Sequence, residues 1–180
     1  MKVLLDTCVL YPTVMREMLL GVAGAGVFEP LWSARIIAEW QHAARKLGPE
    51  AAAQSEAEAA LLAVRWPRAE QQYPPSLEAR LWLPDAGDVH VLAAAIAGSA
   101  DLILTLNAKD FPRHLLAGEG LSRADPDTFL HSVWEAQHDL VAAVAAGVLD
   151  KANSLSDRQW ELRALMKKAR LPRLGRALRN

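Results

Sequence analysis

Residues 84–111, PDAGDVHVLAAAIAGSADLILTLNAKDF, place an apolar helix directly before an apolar strand, with acidic turns at both ends. Asp85 and Asp88 flank Gly87. Asp88 stands where an N-cap or first-turn carboxylate is favoured by the free N–H groups and the positive end of the helix dipole. Val91, Leu92, Ala95 and Ile96 recur at helical spacing and Gly98-Ser99 supplies a stop, so a helix is expected over 89–97. The run 101–105, DLILT, then reads as a short buried strand leading into a turn that carries Asn107 and Asp110. A helix that feeds straight into an apolar strand is half of a parallel α/β unit. In such sheets the chemistry collects beyond the carboxyl ends of the strands, which is where Asn107 and Asp110 stand.

The rest of the chain repeats this alternation. Residues 2–5, KVLL, form an expected first strand with Asp6-Thr7 at its tip. Tyr11-Pro12 opens a helix whose inner face is Val14, Met15, Met18, Leu19 and Val22, and Gly21, Gly24 and Gly26 close it. A second strand is expected over 27–32. Ser33 caps a helix over 34–47, Gly48-Pro49 ends it, and an alanine-rich helix follows over 50–64. Residues 65–83 read as a loop or a short connector strand, with a turn of helix at 76–82. Beyond Phe111 the pattern gives a helix over 113–117, a last short strand over 121–124, and a helix over 128–147 capped by Asp125-Pro126-Asp127. A final helix is expected over 156–170, with Pro172 and Gly175 as breakers. The fold class that follows is a three-layer α/β/α sandwich with a mostly parallel central sheet. It is divided into a domain over 1–130 and a helical C-terminal extension over 131–180.

Charge separates the two parts. Residues 151–180 hold nine Lys/Arg against two acids, about +7, and the first 150 hold eleven bases against nineteen acids, about −8. The basic tail is expected to face RNA or a partner. Its Arg158, Arg163, Lys167, Lys168 and Arg170 would turn outward, and Trp160, Leu162, Leu165 and Met166 would dock it. One cysteine excludes an internal disulfide and fits a reducing cytosol, so a cytoplasmic location is expected. Asp6 interrupts the apolar start, so no signal peptide is expected, and no apolar run is long enough to span a bilayer.

Asp6 at the tip of the first strand and Asn107 and Asp110 after the strand 101–105 share one sheet edge in this arrangement. Glu39 lies within the apolar face Ile36-Ile37-Ala38-Glu39-Trp40, and Asp88 begins a helix. Acids that converge repel one another, so such a cluster calls for a cation. Oxygen-only donors with no Cys/His set favour Mg²⁺ or Mn²⁺ over zinc. A divalent ion held by two or three carboxylates is the equipment for phosphodiester hydrolysis.

The start KVLLDTCVLYP resembles the opening of PIN-domain ribonucleases, whose first catalytic aspartate follows strand one and is trailed by Thr or Ser. PDAGDVHVLAAAI and LILTLNAKDFP resemble the third and fourth acidic motifs of that family, in the same order, and Glu39 falls at the glutamate of the second. The resemblance covers about residues 1–130. It implies a compact α/β/α fold, dependence on Mg²⁺ or Mn²⁺, and endonucleolytic cleavage of RNA in the style of VapC-type toxins. The partners it implies are RNA, a small antitoxin-like protein and a second copy in a homodimer, with no membrane. By this correspondence Asp6, Glu39, Asp88 and Asp110 are catalytic and Asp6, Asp88 and Asp110 hold the metal, with Thr7, Asn107 and Asp85 as accessory residues. Many relatives carry Asp where this chain has Asn107, so position 107 or Asp110 completes the site. The alternative is a catalytically degenerate domain of the same fold that binds RNA or protein without cleaving.

Taken singly, Asp88 is only a helix cap, Glu39 a packed surface acid, Cys8 small core packing and Thr7 a hydroxyl for Asp6 or a metal-bound water. His90 reads as a helix-face histidine, and His131 and His138 as solvated residues of one helix. A haloacid-dehalogenase-like phosphatase needs a second Asp where Cys8 stands. A dinucleotide fold needs its glycines directly after a strand, whereas Gly21, Gly24 and Gly26 follow a helix.

Overall fold

The computed structural model describes residues 1–178; the last two residues of the basic tail lie outside the described residues. They form two compact units, one of Met1–Tyr11 with Glu29–Arg123 and one of Pro12–Phe28 with the chain from Ala124 on.

The first unit is built on a four-stranded sheet of order β2-β1-β3-β4, with β1 Lys2–Leu5, β2 Glu29–Leu31, β3 Leu102–Leu104 and β4 Ser122–Ala124. β1 runs parallel to both neighbours, with Leu4 opposite Leu31 on one side and Ile103 on the other. This is the α/β class expected; β1 spans its expected run, and β2, β3 and β4 are three, two and one residues shorter than theirs. Val3, Leu4, Leu5, Ile103 and Leu104 are fully buried. Strands buried on both faces read as continuous apolar runs, as in parallel sheets generally. Truncating Leu4 or Ile103 to Ala would cost about 2–5 kcal/mol.

Around the sheet lie α1 (Thr7–Leu10), α3 (Ala34–Arg45), α4 (Pro49–Arg65), α5 (Pro75–Arg80), a 3-10 turn at Ala86–Asp88, α6 (Val89–Ala97) and α7 (Arg113–Gly118). Ser33 caps α3 as expected, its hydroxyl accepting from the Ile36 N–H at 3.2 Å. Gly48, at φ +121°, makes the turn from α3 to Pro49 in the first turn of α4. That backbone conformation is open to glycine and strained for other residues. α1 was not legible in the sequence: it is a single turn, too short to show a period.

The second unit is helical: α2 (Thr13–Gly24), α8 (Pro126–Ala136), α9 (His138–Ser154), α10 (Leu162–Lys168) and α11 (Pro172–Ala177). Met15, Met18, Leu19 and Val22 form the buried face of α2, with Val14 half-buried. Gly21 lies inside this helix and does not close it. A Cβ there would fall 2.5 Å from Val144 Cγ1, so the glycine lets α2 and α9 approach closely. Two expected helices differ, one divided and one shortened. The helix over 128–147 breaks at Gln137, whose φ of −145° and ψ of 67° are not helical, and the chain folds back as α8 and α9. His131 and His138 therefore sit on different helices, with the Trp134 ring 5.7 Å from one and 4.3 Å from the other. The helix over 156–170 shrinks to α10, and Pro172 opens α11 in place of breaking a helix. Asp125 caps α8 through the Thr128 N–H. Asp127 instead accepts from the Arg173 and Leu174 N–H groups at 2.8 and 3.0 Å and so caps α11. Leu165 and Met166 are buried, and Arg158, Arg163, Lys167, Lys168 and Arg170 are exposed, as expected. No helix among the described residues is long and apolar enough to cross a membrane.

Candidate metal centre and its surroundings

Parallel pairing of β1 with β3 brings Leu5 opposite Leu104, so the residues that follow each strand emerge side by side. The Asp6 N–H donates to the Leu104 carbonyl at 3.2 Å. The Thr105 hydroxyl donates to Asp6 Oδ2 at 2.7 Å, and the Cys8 thiol reaches the same oxygen at 3.1 Å. Asp6 is buried and holds the N-cap position of α1 without a side-chain capping bond. Its carboxylate is thus oriented by partners from both strand ends. Cys8 is half-buried, and burial together with the Asp6 charge pushes its thiol up to about 12. It stays a protonated donor to Asp6, a polar role in place of the core packing expected from its size.

The 3-10 turn positions the second group of acids. Asp85, not Asp88, caps it: Asp85 Oδ1 accepts from the Gly87 N–H at 2.8 Å. Asp88 precedes α6 yet makes no capping bond, which leaves its carboxylate to the other acids. Carboxylate oxygens of Asp85, Asp88 and Asp110 all lie within 4.8 Å of one another. Burial pushes the Asp88 pKa up to about 6, and the charges of Asp6, Asp85, Asp110 and Glu39 add to the rise. Position 107 is tied to the same place, the Asn107 amide donating to Asp88 Oδ2 at 3.3 Å and its backbone N–H to Thr105 Oγ1 at 2.9 Å.

Glu39 projects from α3 and is held by three donors. His90 Nε2 lies 2.9 Å from Oε1, the Thr7 hydroxyl 2.9 Å from Oε2, and Arg35 Nε 3.5 Å from Oε1. Thr7 therefore serves Glu39, with the Ile36 carbonyl as a longer second acceptor at 3.4 Å, and not Asp6, one of the two acceptors the sequence suggested. His90 is 1% exposed. Burial lowers its pKa, the Glu39 charge opposing, so the ring is a neutral donor through Nε2. Nδ1 is buried without a hydrogen-bond partner among the described residues.

The carboxylates assigned from sequence, Asp6, Glu39, Asp88 and Asp110, all belong to the first unit, and each of the other three is close enough to disturb Asp88. Asp85 stands with Asp88 and Asp110. Sequence reasoning missed His90, Thr105 and the thiol of Cys8. The one signal for His90 was its place in a helix otherwise made of Val, Leu, Ala and Ile. The donor set fits a hard divalent cation: oxygen-only, three carboxylates within reach of one ion, and mutual repulsion already evident at Asp88.

A family model described as PIN domain matches residues 2–109. The match runs from β1 through β3, takes in Asp6, Glu39, Asp85, Asp88 and Asn107, and stops just short of Asp110. No curated protein matches the chain, and no solved structure does.

Proposed function

The chain belongs to the PIN-domain family, whose members are in general nucleases, and from that premise we propose that it is a divalent-metal-dependent endoribonuclease acting in the cytoplasm as the toxin of a bacterial toxin–antitoxin pair. The observation that carries the reading is the meeting of acids from four separate segments around Asp88. Glu39 has Arg35 and His90 as partners, but the aspartates of the group have no basic partner among the described residues, and like charges without one are poorly suited to a structural role and well suited to a cation.

In this reading Asp6, Asp88 and Asp110 hold Mg²⁺ or Mn²⁺, with Asp85 beside them. The bound ion supplies charge neutralisation at the scissile phosphate and an acidified water. Thr105 and Cys8 keep Asp6 in one orientation. His90 and Thr7 do the same for Glu39, which orients the attacking water. Asn107 steadies Asp88. A small antitoxin-like partner offering Arg or Lys to these carboxylates would compete with the ion through charge-assisted contacts.

Digestion of RNA by the purified protein with Mn²⁺, and again with EDTA, tests the reading. Cleavage is expected only with metal and is lost in Asp6→Asn with an unchanged circular dichroism spectrum. Cleavage in EDTA, or full activity of that variant, sinks it. A second reading, a domain that binds RNA or protein without cutting, is favoured by Asn107 standing where an acid is usual; RNA binding without cleavage in Mn²⁺ would select it. Expression should slow bacterial growth and a co-expressed partner should relieve it. Harmless expression of a proven ribonuclease removes only the toxin role.

A further inference from the structure

Among the tryptophans, Trp32 and Trp40 are buried and Trp66, Trp134 and Trp160 half-buried. Trp82 alone is exposed, to 67%, and no hydrogen bond or ring contact reaches its indole among the described residues. Tryptophan is highly buried on average, so an uncovered ring calls for a reason. The backbone holds it out. Two residues before it, Arg80 donates to both Glu119 carboxylate oxygens at 2.7 and 3.0 Å. Leu81 is extended, at φ −91° and ψ 155°, and Leu83 is only 2% exposed. Side chains alternate along an extended stretch, so anchoring Leu83 inside turns Trp82 to water. The ring is also near the acids. Trp82 precedes Asp85 by three residues, a span of at most about 11 Å of backbone. Asp85 shares the centre with Asp88 and Asp110. Lys109, exposed and without an ion-pair partner among the described residues, directly precedes Asp110.

We propose that Trp82 is a specificity-determining residue: a base flanking the scissile phosphate of a single-stranded RNA stacks on its ring, while Lys109 takes a backbone phosphate. Aromatic platforms for bases, combined with cations for the backbone, are how proteins hold single strands. Every base has a π-face, so the ring accepts all of them and favours purines through their larger area. A duplex keeps its bases stacked on one another and offers the ring none, so the platform selects unpaired segments. Along the chain Trp82 lies between charged Arg80 and Asp85, with Leu83 buried. That setting presents one flat ring and not the contiguous apolar patch of a protein interface. The inference rests on the proposed nuclease reading for the scissile phosphate.

Binding of a short single-stranded RNA oligonucleotide by the full chain carrying Asp6→Asn tests it, and the two readings fail separately. Cleavage by the wild type in Mn²⁺ judges the nuclease centre, and the affinity of the Asp6→Asn chain judges Trp82. Adding Trp82→Ala should weaken binding on the order of 10–100-fold, the scale of one lost base stack. The slope of log K against log salt should stay as it was, because stacking releases no counterion. Trp82→Phe should recover most of the affinity and Trp82→Leu, apolar but not aromatic, none of it. Duplex RNA should bind with and without Trp82→Ala alike. Lys109→Ala should instead lower the salt slope by about 0.7. Unchanged affinity in Trp82→Ala, Leu matching Phe, a loss of equal size on duplex, or no RNA binding by the Asp6→Asn chain overturns the proposal. An unmoved slope in Lys109→Ala overturns the phosphate contact. Unchanged RNA binding with lost relief by a co-expressed protein gives the ring to that partner and also overturns it. The ring is exposed, so the melting temperature should not move with these changes at position 82.

Discussion

His90 Nε2 lies 2.9 Å from Glu39 Oε1, and the two residues come from different helices 51 positions apart in the chain. His90 follows Asp88 by two residues, as Thr7 follows Asp6 by one. Two of the three side chains that hold Glu39, His90 and Thr7, are thus each anchored beside an acid of the site. The distance between Glu39 and the aspartates is set by short stretches of rigid backbone.

Replacing His90 by Ala should therefore lower kcat for RNA cleavage roughly 10–100-fold, the range for loss of a supporting hydrogen bond at a metal site. KM should change little, because the substrate contacts remain. His90→Gln, which keeps an N–H donor, should recover part of the loss. Equal effects of both variants on kcat and on melting temperature would reduce His90 to core packing.

The pH dependence of the metal-free protein follows from Asp88. Its carboxyl is raised from 3.8 to about 6 on folding, so between those values the folded state binds the proton more tightly than the unfolded one. Stability from this group is therefore highest below about pH 4 and falls as pH rises through about 6. Asp88→Asn should remove that slope and raise the apo melting point. The carboxyl is half-exposed and partly screened, so the gain is about 1 kcal/mol or less. Melts at pH 5 and 7.5 in EDTA check the sign, and Mn²⁺ should stabilise the variant less than the wild type.

Asn107→Asp changes an amide that donates to Asp88 into a further negative charge beside it. Melting in EDTA should fall and the stabilisation by Mn²⁺ should grow. If neither moves, side chain 107 has no part in holding the ion. Glu56→Gln, exposed on α4, is the control and should shift neither.

The basic tail is testable without truncation, which would remove the buried Leu165, Met166, Leu171 and Leu174. Changing exposed Arg163 and Lys167 together to Glu should weaken RNA binding by the Asp6→Asn protein. It should also lower the slope of log K against log salt, by about 0.7 for each phosphate of a single strand that the variant no longer neutralises. Unchanged affinity at low salt would make the tail a solvated face only.

Local signals carried the strands, the Ser33 cap and the order of the acids. Each rests on neighbours in sequence, and a period or a cap shows there. The partners of the acids did not show. Thr105 and Asp6 are 99 residues apart, and nothing in LTLN marks its threonine as a donor to the first strand's aspartate. His90 was hidden because a buried polar residue in an apolar helix has the same pattern whether it meets a carboxylate or not. The break at Gln137 escaped because neither proline nor glycine marks it. Helix α9 turns back there to bury Val141 and Ala145 with Val133 of α8, a tertiary preference that propensity does not encode. Pro172 was misread for the opposite reason. A proline both breaks a helix and begins one, and the residues that decide, Asp127 and its two backbone donors, lie far apart in the chain.

The pairing of β1 with β3 also governs when, during synthesis, the centre can exist. Asp6 is made first, and its partner Thr105 and the acid Asp110 follow about a hundred residues later. Until then β1 lacks the strand that orients its aspartate, and the cluster lacks its last carboxylate. A nascent chain stalled before residue 102 has no third strand and carries the first acid without the means to use it. The order of the segments thus delays assembly of the centre until about a hundred residues beyond Asp6 have been translated, while the polypeptide is still held on the ribosome as peptidyl-tRNA.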